Sequence, residues 1–181
     1  MPINRAEAWK LLNEYVQTAL IKHCLAVEAA MRAYAQKYGQ DEELWGITGL
    51  LHDMDYEKFP DKHPFHEVEI FKEKGYPDEM IQAILGHALY SGVARESQMA
   101  KCLFAVDELC GFVMACGYVR PTRLEGLEVK SVKKRLKEKS FAAKVNRDEI
   151  AQGIAELGVN EDEHIALVIK AMQGIASQLG F

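Results

Sequence analysis

The segment Ile47-Thr48-Gly49-Leu50-Leu51-His52-Asp53 places two ionisable residues at the end of an apolar stretch. The acidic residues 41–43 before it favour a helix N-terminus, so we predict a helix from about Asp41 to the His52-Asp53 pair. Its apolar side chains are expected to be buried, which carries His52 and Asp53 into the interior. Buried ionisable groups need partners or a metal ion, because an unpaired charge is costly there.

Helical periodicity continues in both directions from this segment, and no strand or hairpin pattern is evident. Helix-capping residues also indicate helices: Asn4-x-x-Glu7 is close to a capping box, and Gly39 is suited to a helix end. The fold class is therefore predicted to be all-α, with a helical core over residues 1–119 and a C-terminal helical extension over 120–181 packing on it. The remaining helices are predicted at about 4–17, 18–38, 64–75, 77–89, 96–119, 129–139, 147–157 and 161–179.

Charge and composition argue against several classes of protein. The 181 residues carry a net charge of −5, with −6 in residues 1–100, so nucleic acid is not expected as the main partner. No signal peptide is visible at the N-terminus. Residues 99–119 are fairly apolar, but Lys101, Asp107 and Glu108 would make a membrane span costly, which favours a central buried helix.

The four cysteines show no Cys-x-x-Cys spacing and lie in apolar helical contexts. This pattern indicates reduced core thiols rather than a disulfide framework, and so a cytoplasmic protein.

Six residues on five predicted helices form an ordered set that is typical of metal ligands. Helical folds build metal centres from side chains of separate helices, and imidazole with carboxylate suits divalent metals such as Mn, Fe, Co or Zn. Taken singly, His23 is more often a core or boundary residue than a ligand, and His63 and His87 are each consistent with a surface residue. The set is His23, His52, Asp53, His63, His87 and Asp107.

Asp107 is the most informative single member of this set. It lies within Leu103-Phe104-Ala105-Val106-Asp107-Glu108-Leu109, where a carboxylate facing the core needs a partner or a cation. Because adjacent helical residues do not share a face, we expect at least one of Asp107 and Glu108 to point inward.

The arrangement resembles the HD superfamily of metal-dependent phosphohydrolases, whose motif is H…HD…D. It is most similar to the HDIG-type branch, which has two further histidines between the doublet and the last aspartate. The resemblance covers about residues 18–115 and rests on four pieces beside the His23 helix: Leu50-Leu51-His52-Asp53, His63-Pro64-Phe65-His66-Glu67-Val68-Glu69-Ile70-Phe71, Ile84-Leu85-Gly86-His87 and Val106-Asp107-Glu108-Leu109. Within the second piece, His63 fits the ligand position better than His66.

The chain departs from the HDIG pattern after the doublet. Met54-Asp55-Tyr56 stands where that branch has Ile-Gly and then Lys, and Lys58 follows two places later. Glu67 replaces a small glycine. Asp55 and Glu57 add carboxylates that either assist the site, as cation ligand or general base, or simply lie on an exposed loop.

The resemblance implies a metal-dependent phosphohydrolase with an HD-type helical bundle. One metal would be held by His23, His52, Asp53 and Asp107, and a second by His63 and His87 with Asp53 bridging. One or two divalent ions per chain are implied, drawn from Mn, Fe, Co, Ni, Zn or Mg. Metal-bound hydroxide would attack a phosphoester, with Asp53, His52, Lys58 and Glu57 as the catalytic residues.

The implied substrate is a nucleotide or another small phosphorylated metabolite, with no membrane partner and with oligomeric state left open. Lys58, Arg95 or the basic helix with Lys130, Lys133, Lys134 and Lys137 are candidates to bind its phosphates, although that helix is also consistent with an ordinary solvated face. Two alternatives remain: a mixed-valent di-iron oxygenase on the same ligand set, and a metal-binding module without turnover.

Overall fold

The computed structural model describes residues 4–181, and these form an all-helical fold, as predicted. A short 3₁₀ turn at Leu89–Ser91 lies between the fifth and sixth helices. The α-helices are α1 Arg5–Tyr15, α2 Thr18–Tyr38, α3 Glu42–Leu51, α4 Phe65–Glu73, α5 Asp78–His87, α6 Gln98–Tyr118, α7 Val129–Leu136, α8 Arg147–Leu157, α9 Glu161–Gln173 and α10 Ala176–Leu179.

Local sequence signals account for most of these boundaries. The side chain of Asn4 accepts a hydrogen bond from the Glu7 backbone N–H and caps α1, and Asp41 caps α3 in the same manner. Gly39 ends α2 in the left-handed conformation. One prediction was wrong: the helix expected over 161–179 is two helices, α9 and α10, separated at Gly174 and Ile175.

Helix α6 lies at the centre of the fold, as expected for the apolar segment 99–119. Most of its side chains are buried, including Phe112 and Val113. Helices α2, α5, α8 and α9 pack directly against it, and α3 packs along α2. Gly49 permits this last contact, because a Cβ atom there would lie 2.9 Å from the Val27 carbonyl oxygen.

The C-terminal segment 120–181 contributes to the same hydrophobic core as the first part of the chain. The buried His164 ring on α9 bridges two core helices: its Nε2 bonds the Ala105 carbonyl oxygen of α6 at 2.9 Å, and its Nδ1 contacts the Tyr34 hydroxyl of α2. On α8, a Cβ atom at Gly153 would lie 2.7 Å from the Ala105 Cα atom. The division at residue 119 remains a prediction.

All four cysteines are buried and none forms a disulfide bond. Over residues 4–181, no helix is long and apolar enough to cross a membrane.

Candidate metal centre

The fold brings all six predicted ligands to one place beside α6. They come from five different helices or from the residues beside them, which explains why the set extends over more than eighty positions of the sequence. His23 lies in α2 and Asp107 in α6, while His87 is the last residue of α5. His52 and Asp53 directly follow α3, and His63 precedes α4.

Four of these residues form a first group, with one donor atom each lying within 4.8 Å of the others: His23, His52, Asp53 and Asp107. The Nε2 atoms of His23 and His52 lie 2.9 and 3.3 Å from Asp107 Oδ1. The same two nitrogens lie 3.7 and 3.4 Å from Asp53 Oδ2. Two imidazoles and two carboxylate oxygens therefore surround one point.

The second group uses the other oxygen of the same aspartate. Asp53 Oδ1 lies 3.3 Å from His63 Nε2 and 3.4 Å from His87 Nε2, and the two nitrogens are 3.2 Å apart. Asp53 thus faces one group with each carboxylate oxygen. Two ligand atoms that share a divalent ion at tetrahedral geometry lie about 3.4 Å apart, so these separations fit metal ligands.

The outer nitrogens of three histidines have acceptors, and this orients the rings. His52 Nδ1 donates to the Gly49 carbonyl oxygen at 2.8 Å, and His87 Nδ1 contacts the Ile84 carbonyl oxygen. His63 Nδ1 lies 2.6 Å from Asp55 Oδ1. Histidine ligands of metals commonly make such an outer hydrogen bond, which directs the other nitrogen at the ion.

A neutral histidine that donates from Nδ1 has no proton on Nε2. The Nε2 atom of His52 is buried without a well-formed hydrogen bond, between two carboxylate oxygens. The Nε2 atoms of His63 and His87 lie within hydrogen-bond distance of each other, at 3.2 Å, and both lie within 3.4 Å of Asp53 Oδ1. Lone pairs and carboxylates so arranged repel one another unless a cation, either a proton or a metal ion, lies between them. The residues present therefore fit a divalent metal.

A family model for the HD domain matches residues 20–111, about half of the chain and a span that contains all six residues. The chain belongs to the HD domain family. This places it in a superfamily of metal-dependent phosphohydrolases, as the sequence indicated. No curated protein and no solved structure gave a significant match. The finer assignment to the HDIG-type branch stays a prediction.

In the metal-free HD centre, the charged groups are the His52 imidazole and the carboxylates of Asp53 and Asp107. Burial opposes a charged imidazole, but the carboxylates of Asp53 and Asp107 outweigh it and hold the pKa of His52 well above its ordinary value. Burial likewise opposes ionisation of Asp53 and Asp107, and the adjacent histidines, His52 first, outweigh it and lower both pKa values. Without metal, a proton on His52 is thus the compensating cation.

This arrangement predicts a pH dependence for the stability of the metal-free chain. A histidine with a raised pKa contributes fully below about pH 6.5, its unfolded value, and the contribution is lost as pH rises through the folded-state pKa. The free energy of unfolding of chelated protein, measured by urea denaturation, should therefore fall on the alkaline side of neutrality. Added Zn²⁺ should oppose this fall, since the metal replaces the proton, and should bind more weakly as pH is lowered.

The matched controls for this experiment are His52→Asn and His66→Asn. The first removes the titrating ring and should remove most of the alkaline decline, whereas the second should retain it. An unchanged decline in His52→Asn would assign the effect to another group.

The structure does not bring Glu57 or Lys58 to the centre, although both were predicted as catalytic. Glu57 accepts a hydrogen bond from the Gln17 backbone N–H at 2.7 Å, at the start of α2. The Lys58 ammonium contacts the Glu14 carbonyl oxygen and lies 4.8 Å from the centre of the Tyr15 ring. Both side chains thus hold the loop to the junction of α1 and α2, and their catalytic roles stay a prediction.

The other candidates for metal or phosphate binding also lie away from the two ligand groups. His66 packs on Phe59, with ring centres 4.0 Å apart, and belongs to neither ligand group. Arg95 donates to both carboxylate oxygens of Glu156 at 2.7 Å. The lysines of α7 and Lys137, which follows it, line a separate groove of about 1090 Å³ against α9, where Lys133 pairs with Glu161 and Asp162, so they do not flank the centre.

A cavity of about 420 Å³ opens onto the ligand groups. Among the described residues that line it, Lys144 is the only lysine or arginine, and it comes from the segment before α8. Tyr56, Leu89 and Tyr90 lie at the wall, and the Tyr90 hydroxyl donates to the His63 carbonyl oxygen at 2.8 Å. The sequence analysis did not identify Lys144, because no local pattern indicates that it lies near Asp107 and the other ligands, which are more than thirty positions away in sequence.

Asp55 is fully buried rather than exposed on a loop. Glu67 is fully buried beside it, and burial, reinforced by the charges of Asp55 and Asp53, raises the pKa of Glu67 well above its ordinary value. The sequence showed that Glu67 stands where the HDIG pattern has a glycine, but it did not show that Glu67 pairs with Asp55.

Proposed function

We propose that this chain is a metal-dependent phosphohydrolase that cleaves a phosphoester of a small phosphorylated metabolite, such as a nucleotide. The observation that carries the proposal is the shared Asp53 carboxylate, whose two oxygens face two separate sets of histidine Nε2 atoms at 3.3–3.4 Å. The membership of the HD domain family supports it.

We assign the metal-holding role to the two groups around Asp53. His23, His52 and Asp107 would hold one ion, and His63 and His87 the other, with Asp53 between them. Bound divalent metal lowers the pKa of a coordinated water towards neutrality and so supplies a nucleophile for phosphoester hydrolysis. His52 is fully buried, whereas the partly exposed Asp53 also lines the cavity, so a metal held between them would be reachable by substrate.

The cavity supports a small substrate. Its volume of about 420 Å³ lies at the lower end of the usual range for ligand pockets. Lys144 is the side chain we propose to pair with a phosphate oxygen, in place of Lys58. The acidic Glu108 and Glu149 on the same wall disfavour additional anionic groups there, which favours a substrate with few phosphates. A cytoplasmic location is part of the proposal, supported by the four buried free thiols.

The test is phosphate release from a panel of nucleotides and small phosphoesters. Chelated protein should be inactive, and addition of Mn, Fe(II), Co, Ni, Zn or Mg should restore release by at least about 10³-fold with one or more of these metals, an effect of several kcal/mol. Lys144→Gln should raise KM more than it lowers kcat, because it removes a binding contact remote from the metal ligands.

Two outcomes would contradict the hydrolase. Bound iron with oxygen consumption but no phosphate release would assign the same ligand set to a di-iron oxygenase. Bound metal with neither activity would leave a metal-binding module. Anaerobic iron analysis alongside the phosphate assay separates the two.

A further inference from the structure

Asp55 and Glu67 form a closed ring of hydrogen bonds behind the second ligand group. The Glu67 backbone N–H donates to Asp55 Oδ2 at 2.8 Å, and the Asp55 backbone N–H donates to Glu67 Oε2 at 3.1 Å. The ring ties the turn after α3 to the first turn of α4. Both side chains are fully buried, so water does not compete for these bonds.

The remaining oxygen of Asp55 contacts His63. Asp55 Oδ1 lies 2.6 Å from His63 Nδ1, and His63 itself is 4% exposed. Because Oδ2 already accepts from a backbone N–H, a carboxylate here acts as an acceptor on both sides. The His63 proton therefore lies on Nδ1, and its Nε2 lone pair points at Asp53 Oδ1, 3.3 Å away.

His63 differs in this respect from the other oriented histidines. His52 and His87 have neutral backbone carbonyls at Nδ1, whereas His63 has a carboxylate. An anionic partner at the outer nitrogen increases the basicity of a histidine ligand and fixes its tautomer, and loss of such a partner typically costs about 10–100-fold in metal affinity.

We propose that Asp55, braced by Glu67, is the positioning residue of the second metal position: it sets the proton and the orientation of His63, and so determines how tightly Asp53, His63 and His87 hold their ion. This inference rests on the proposed metal centre. It predicts that the two positions respond differently to changes at Asp55, since no hydrogen bond or ion pair joins the Asp55 side chain to His23, His52 or Asp107 among the described residues.

A competing interpretation makes Asp55, His63 and Glu67 a cation site of their own, because their donor atoms lie within 4.8 Å of one another and Glu67 Oε1 is buried without a partner. The hydrogen bonds argue against it. Both Asp55 oxygens and Glu67 Oε2 already accept N–H groups, and His63 Nδ1 holds its proton, so a cation would displace a closed set of bonds.

The first experiment is equilibrium dialysis of chelated full-length protein against Zn²⁺. Wild type should bind two ions per chain, and Asp55→Asn should bind one with unchanged affinity and the second about 10–100-fold more weakly. Glu67→Ala should weaken the second ion in the same direction, while Glu67→Gln, which keeps an oxygen for the Asp55 N–H, should restore it. Asp61→Asn and Glu69→Gln, both on exposed positions of the same segment, are the matched controls.

The second readout is the tautomer of His63 in metal-free protein, followed by long-range ¹⁵N–¹H NMR. Wild type should show a single form protonated at Nδ1, and Asp55→Asn a mixture of forms or a reoriented ring. This measurement needs no metal, so it remains decisive if Asp53 and its partners hold none.

The outcomes separate the inference from the proposed function. Failure of wild type to bind a second ion would contradict the two-metal centre, and the tautomer readout would still test the role of Asp55. Two ions bound equally well by wild type, Asp55→Asn and Glu67→Ala would overturn the inference, as would a third ion lost only in the variants. Should Asp55→Asn fail to fold, the affinity of Glu67→Ala for the second ion tests the same inference with Asp55 unchanged.

Discussion

Asp53→Asn is expected to reduce metal-dependent phosphate release by at least about 10³-fold and to lower the bound metal from two ions to at most one. The reason is its position: Asp53 Oδ2 faces His52, and Oδ1 faces His63 and His87. An amide of the same shape leaves one neutral oxygen and one NH₂ group in their place, so one group loses its anionic ligand and faces a donor instead. Loss of several kcal/mol of charge stabilisation corresponds to this rate effect.

The measurement is metal content by elemental analysis beside the phosphate assay with the best metal. Asp107→Asn is the informative comparison, because Asp107 contacts only the first group and should lower that ion alone. His66→Asn is the control, a nearby histidine packed on Phe59 outside both groups, and should keep both ions and the activity. Two ions retained by Asp53→Asn would show that Asp53 does not bridge.

The helices were predictable because their ends carry local signals. Asn4 and Asp41 accept backbone hydrogen bonds in the first turn, and Gly39 takes the left-handed conformation, all within three residues of the boundary. The division between α9 and α10 was not predictable in this way. Its determinant is tertiary, since the turn at Ile175 allows Leu179 to reach full burial in the core.

The ligand residues were predictable for a related physical reason. A histidine or aspartate within an apolar helical run, such as His52 or Asp107, is costly without a partner, and this cost is visible in sequence. Asp55 gave no such signal, because it lies in a polar segment that is typical of an exposed loop. Its burial depends on α4 packing over the turn, and the directions of Glu57 and Lys58 depend on contacts with α1 and α2.

Gly153→Val is expected to destabilise the protein by about 3 kcal/mol. A Cβ atom at this position would lie 2.7 Å from the Ala105 Cα atom and 3.2 Å from its nitrogen, both backbone atoms of α6 that have no freedom to move aside. Helix α8 would have to shift away from α6, and overpacking at such a contact typically costs about 1–3 kcal/mol, with β-branching adding to it. Urea denaturation of metal-free protein measures the change.

Two variants separate the contact from helix propensity. Ala151→Val places the same β-branched side chain on an exposed position of α8 and should cost only a few tenths of a kcal/mol. Gly153→Ala raises helix propensity by about 1 kcal/mol and would stabilise an open helix, yet here it should destabilise, because the first added carbon already meets α6. A stabilised Gly153→Ala would therefore contradict this packing.

A shift of α8 away from α6 is also expected to affect the metal centre. Ala105, which Gly153 contacts, lies within one turn of Asp107 in α6. Lys144 and Glu149, around the start of α8, line the cavity. All of α8 lies beyond residue 111, where the family match ends. If Gly153→Val weakens metal binding and raises KM together with its loss of stability, the C-terminal segment is part of the working site. If stability falls while both are kept, α8 supports the fold and the HD region alone forms the site.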